Sequence, residues 1–145
     1  MKHAPEEVKQ IARHLIETVN EFEHLGQASI LYVMEDKAPK RRLASASKVG
    51  GRLAGILELI APGDTPDFII TVYDDVWQDL TEDQKHALID HELSHCGWDR
   101  KKQKWTMVDH DVQDFVGTIK RHGLVFADTK ALGEVVQLSL AEAQA

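Results

Sequence analysis

The sequence has little of what would place it in an oxidising compartment or a bilayer. Its 145 residues hold one cysteine, Cys96, which can form no intrachain disulfide, so a disulfide-stapled scaffold is excluded. No apolar run approaches the roughly eighteen residues that span a membrane. The first residues, Met1 to Glu7, carry no apolar signal segment, and a cytoplasmic location is expected. Positive charge is also short: 17 Lys and Arg stand against 24 Asp and Glu, a net charge of -7. Nucleic acid is therefore not expected as the main partner, because backbone binding needs phosphate neutralisation. Two basic clusters, Lys37 to Arg42 with Lys48 and Arg52, and Arg100 to Lys104, read as solvated loops, since neither is interleaved with aromatics.

What is present suits one domain over residues 1–145, with a 43% hydrophobic fraction typical of a globular chain. Apolar residues at Val8, Ile11, Ala12, Leu15, Ile16, Val19 and Phe22 predict a helix from Pro5 to about Glu23. His14 and His24 fall off that stripe and are expected at the surface. Ala28 to Met34 reads as a strand and Glu35 to Ser47 as a polar connection; Val49 to Ile60 is a strand with a glycine bulge or a short helix, and the strand is preferred because Gly55 weakens a helix by about 1 kcal/mol relative to Ala. The turn-rich Ala61 to Pro66 leads into Asp67 to Tyr73, the clearest strand, which could offer an open edge to an extended peptide. Asp74 to Leu80 is a turn or short helix carrying Trp77. Trp98 to Trp105 is a charged excursion, followed by helices closing near Gly123 and running from about Lys130 to Ala143.

The chemistry gathers at Ile89 to Cys96, which contains H-E-x-x-H. Residues four apart on a helix sit one above the other, so His91 and His95 can offer two imidazoles to one metal ion with Glu92 beside them. The helix has its own local signal. Thr81 with Gln84 matches a capping box, and Gly97 stands where a helix commonly ends. On a helical wheel Leu88, His91, Glu92 and His95 share one side, while Ile89, Leu93 and Cys96 form an adjacent apolar side. Cys96 is thus expected to be a small core residue. A catalytic zinc ion takes three protein ligands and leaves one position for water. His110, among carboxylates and ahead of a helix, is the third candidate, with Asp111 the competing ligand or a cap that orients one. Tyr73, Trp98 and the remaining histidines are candidates for oxyanion stabilisation by sequence proximity alone.

The run HELSHCGWD followed by HDVQDF resembles the phage metallopeptidase family, and more broadly the SprT-like branch of the zincins; the likeness covers roughly Asp67 to Gly123. It departs in one place: Phe115 stands five residues after His110 and four after Asp111. The resemblance implies an α+β zincin-like fold. In it a sheet of about three strands packs against an N-terminal helix, the H-E-x-x-H helix and a following ligand-bearing helix. It implies Zn2+ held by His91, His95 and His110, with Glu92 as general base. The expected function is peptide-bond hydrolysis on a protein or peptide substrate, such as a bacterial host protein met in the host cytosol, by a phage or prophage product. The alternative is a catalytically silent, metal-stabilised module that binds a host protein. Nucleic-acid-linked protein cleavage is disfavoured by the charge.

Overall fold

The apolar stripe of the N-terminal segment is buried against a sheet and against the H-E-x-x-H helix. The computed structural model describes residues 1–40 and 42–109. The helices expected over about 108–123 and 130–143, and with them His110 and Asp111, fall outside the described residues, apart from Val108 and Asp109.

Strand β1 (Lys2–His3) precedes helix α1 (Glu6–Thr18), whose Val8, Ile11, Ala12 and Leu15 are buried. The helix ends five residues earlier than the periodicity suggests. A 3-10 helix follows over Asn20–Gln27 and buries Phe22 and Leu25, three apart on one edge of its tighter spiral. Strand β2 (Ile30–Glu35) pairs antiparallel with β1 and parallel with β4 (Phe68–Tyr73). Strand β3 (Ala44–Lys48) pairs antiparallel with β4, so the sheet has four strands in the order β1-β2-β4-β3. Helix α3 (Asp74–Trp77) follows β4 and buries Trp77. Helix α4 (Glu82–Ser94) then leads into a hairpin of β5 (Cys96–Asp99) and β6 (Lys104–Met107). One hydrophobic cluster joins Val8, Ile11 and Leu15 of α1, Phe68, Ile70 and Val72 of β4, and Leu88, Ile89 and Leu93 of α4.

Four expectations are corrected. The supposed open edge, Asp67 to Tyr73, is bonded on both sides; β3 takes the outer position, and its outer edge has no strand partner among the described residues. That strand was hidden in the polar connection because Ala-Ser-Ala-Ser-Lys has poor intrinsic strand preference, and pairing with β4 decides its conformation. Trp98 to Trp105 is the body of a hairpin rather than an excursion. Finally, Val49 to Ile60 is a helix, α2 (Gly51–Ile60), not a strand. With β3 already on β4, that segment has no sheet position beside β4 to take. Gly51 opens the helix at a positive φ of 57°, and Glu58 ties its end by accepting hydrogen bonds from the Gly63 N–H (3.0 Å) and the Thr65 hydroxyl (2.7 Å).

Gly55 sits inside α2, and a Cβ built on it meets nothing within 4 Å. Gly55→Ala is therefore expected to stabilise the fold by about 0.5–1 kcal/mol through the helix-propensity difference. A urea denaturation midpoint checks this; a lower midpoint would mean that the helix does not persist in solution.

Candidate metal centre

The capping box forms as its residue types require. The Gln84 N–H donates to the Thr81 hydroxyl at 3.2 Å, and the Thr81 N–H donates to the Gln84 side-chain oxygen at 2.9 Å. This fixes the start of α4 and hence the phase of everything that follows. The helix ends at Ser94 with His95 as its C-cap, two residues before Gly97, which instead lies within β5. Gly97 is needed there for space: a Cβ would come within 2.7 Å of a Val108 methyl and 3.3 Å of a Thr106 methyl.

Helical spacing brings the two motif histidines together. The rings of His91 and His95 lie 5.0 Å apart, centroid to centroid, at 87° to one another, and both residues are half-buried. Glu92, between them in sequence, is 5% exposed, and Ile89, Leu93 and Cys96 fill the core side as the wheel required. Asp90, on neither side of that wheel, is fully buried, and its carbonyl accepts a hydrogen bond from Ser94 at 2.8 Å.

His95 is held from outside its helix. Its Nδ1–H donates to the Val108 carbonyl at 2.6 Å, and the Val108 N–H donates to the His95 carbonyl at 2.7 Å. A neutral imidazole that donates from Nδ1 carries its lone pair on Nε2, the arrangement in which a histidine can ligate a metal through Nε2. The hairpin thus returns the chain to the motif helix and sets a ring tautomer there.

Residues 2–137 match the sequence model of a family described as putative phage metallopeptidase. The chain belongs to that family. No curated protein and no solved structure matches it. A metallopeptidase family implies a metal cofactor and a protein or peptide substrate, and the donor chemistry of His91 and His95 fits such a metal. Among the described residues no three His, Cys, Asp or Glu side chains come together around one metal position. His91 and His95 are brought together; His110 and Asp111 lie beyond the described residues. No helix among those residues is long and apolar enough to cross a membrane.

Electrostatics around this phage metallopeptidase motif single out Glu92. Burial pushes its carboxyl up to about 7 from an ordinary 4.5, and the positive charge of Arg42 pulls it partly back. The Arg42 influence was not legible in the sequence, where Arg42 belongs to a basic cluster read as a solvated loop. It stands two residues before β3, and β3 packs against α4, which carries its field to the motif. Cys96 behaves as an inert core thiol: 2% exposed, pushed up to about 12 by burial and by the nearby Glu92 charge. His24 also differs from expectation. It is half-buried, and its Nε2–H donates to the Cys96 carbonyl at 2.8 Å, tying the 3-10 helix to the end of the motif. The bond spans 72 positions, and no local pattern announces it.

Tyr73 is buried at the end of β4. Trp98 lies on the opposite face of the hairpin from Gly97, because side chains alternate along a strand. Gly97 faces the Val108 methyl, so Trp98 is turned from the side on which Val108 meets His95.

Proposed function

We propose that the chain is a zinc-dependent metallopeptidase in which His91, His95 and His110 hold the metal and Glu92 is the general base. The observation that carries this reading is the bond from His95 to Val108. It sets the tautomer a ligating histidine needs, and it brings the chain back to the motif with only Asp109 between Val108 and His110. Asp111 then serves as a helix cap or orients a ligand.

When bound, zinc would lower the pKa of a water toward about 7 and polarise the scissile carbonyl. The Glu92 carboxylate would accept a proton from the attacking water and hand it on to the leaving amine. Its burial supports this role, since an acid–base group works best with a pKa near the working pH. Arg42 limits how far burial disfavours the Glu92 carboxylate. The outer edge of β3, beside α4, suits an extended polypeptide added as one more strand. The substrate is a protein of the bacterial host, met in its cytoplasm, and one domain carries the activity.

A binding module that keeps zinc as a structural element is the second reading. The apolar residues Leu53, Ile56, Leu59 and Ile60 of α2 favour it, since all four are exposed, Leu59 to 84%. Zinc content and cleavage of an unstructured protein by wild type and Glu92→Gln separate the two. Cleavage lost by Glu92→Gln with zinc retained supports the enzyme; zinc present without cleavage by wild type supports the binder. Among ligands, His110→Ala is expected to weaken zinc binding far more than Asp111→Asn, and the reverse order would move the third ligand to Asp111.

A further inference from the structure

A cleft of about 560 Å3 opens between the 3-10 helix and the β5–β6 hairpin, lined by Glu21, Glu23, His24, Trp98, Arg100 and Trp105 among others. Its size is that of an ordinary small-ligand site. The repeat of three residues per turn explains the lining: Phe22 and Leu25 turn into the core, and the neighbouring rows place Glu21 with His24 and Asn20 with Glu23 toward the cleft. On the opposite wall Trp98 and Trp105 form a cross-strand pair with ring centroids 4.7 Å apart at 69°, and Trp105 is braced by Phe68 at 5.5 Å. Trp98 keeps 37% of its surface exposed. The walls are joined by the bond from His24 to the carbonyl of Cys96, the residue after His95.

We infer that this cleft takes the side chain of an arginine, or less well a lysine, of a bound polypeptide. Two carboxylates and one guanidinium line it, a balance that favours a cation over an anion. The indole of Trp98 offers a face on which a planar guanidinium can stack while its fork bonds a carboxylate, which favours arginine over lysine. The protein's net charge of -7 draws basic segments toward it. The polypeptide so held would be the substrate. This last step rests on the peptidase reading; occupancy of the cleft by arginine does not.

The test uses the full chain as Glu92→Gln, loaded with zinc, so that no peptide is consumed. Fluorescent peptides identical except for one central arginine, lysine, citrulline or glutamate are titrated by anisotropy. Exposed ion pairs and one cation–π contact together predict about tenfold tighter binding of the arginine peptide than of its neutral citrulline isostere. Adding Glu21→Gln with Glu23→Gln, both exposed positions, should remove that difference, and Trp98→Ala should remove the preference of arginine over lysine. Equal binding of arginine and citrulline peptides, or a preference that survives loss of both carboxylates, overturns the inference. If wild type binds the arginine peptide selectively yet cleaves none of the set, the cleft stands and the peptidase reading falls.

Discussion

Metal-free protein carrying Glu92→Gln is expected to be more stable than metal-free wild type at pH 8, by about 3 kcal/mol, and to lose this advantage on acidification. The sign follows from the carboxyl of Glu92, which burial raises from 4.5 in the open chain to about 7 in the fold. The folded state therefore holds the proton more tightly than the unfolded state. Its contribution is fully present below about pH 4.5, declines between pH 4.5 and 7, and is gone above the folded value. Glutamine is neutral throughout and has no such slope. A loss of this size is a large part of the 5–15 kcal/mol that separates typical folded and unfolded states. Urea midpoints of the two proteins in chelator, compared from pH 4 to 8, measure the difference directly, and parallel curves would refute it. Added zinc should reverse the order at pH 8, because a nearby cation favours the ionised glutamate while glutamine gains nothing comparable.

The same residue shows where reading a sequence ends. The pattern around Glu92 was legible because its causes are local: Thr81 and Gln84 cap each other, and four-residue spacing puts His91 above His95. What tunes Glu92 is not local. Arg42 reaches it through β3, a strand whose Ala, Ser and Lys residues announce nothing until β4 pairs with them. Helix α2 was misread for a related reason. Its apolar residues suit a buried strand, yet the sheet leaves it no such place, and Leu59 and Ile60 end on the surface. The hairpin, too, is fixed by cross-strand partners, Trp98 with Trp105 and Cys96 with Met107, which single-strand patterns of four residues cannot identify. The motif helix and its two faces could thus be derived from short-range physics and the fold class followed from the family resemblance, while the groups that tune and brace the motif come from contacts far apart in the chain.

That bracing can be broken at one methyl group. With His95 as the zinc ligand proposed above, Gly97→Ala is expected to weaken zinc binding by about 10–100-fold, the effect usual for losing a group that orients a ligand, without changing a proposed ligand. Gly97 has no positive φ, so alanine is tolerated by the backbone and the effect is one of space alone. The added Cβ would stand 2.7 Å from the Val108 methyl and 3.3 Å from that of Thr106, closer than carbon atoms approach without one moving. Crowding of this kind costs about 1–3 kcal/mol where the neighbours cannot shift. If Val108 shifts instead, its carbonyl leaves the Nδ1–H of His95 and its N–H leaves the His95 carbonyl, two bonds of 2.6 and 2.7 Å. The imidazole then loses the contact that fixes its tautomer, and with it the Nε2 lone pair that the proposed ligand role requires. Competition with a chromophoric chelator measures the affinity. The double variant Gly97→Ala with Val108→Ala supplies the control, because it removes the obstructing methyl and keeps both backbone groups. Zinc affinity restored in the double variant assigns the loss to displacement of Val108, whereas a single variant that binds zinc as wild type does would show that His95 needs no such brace.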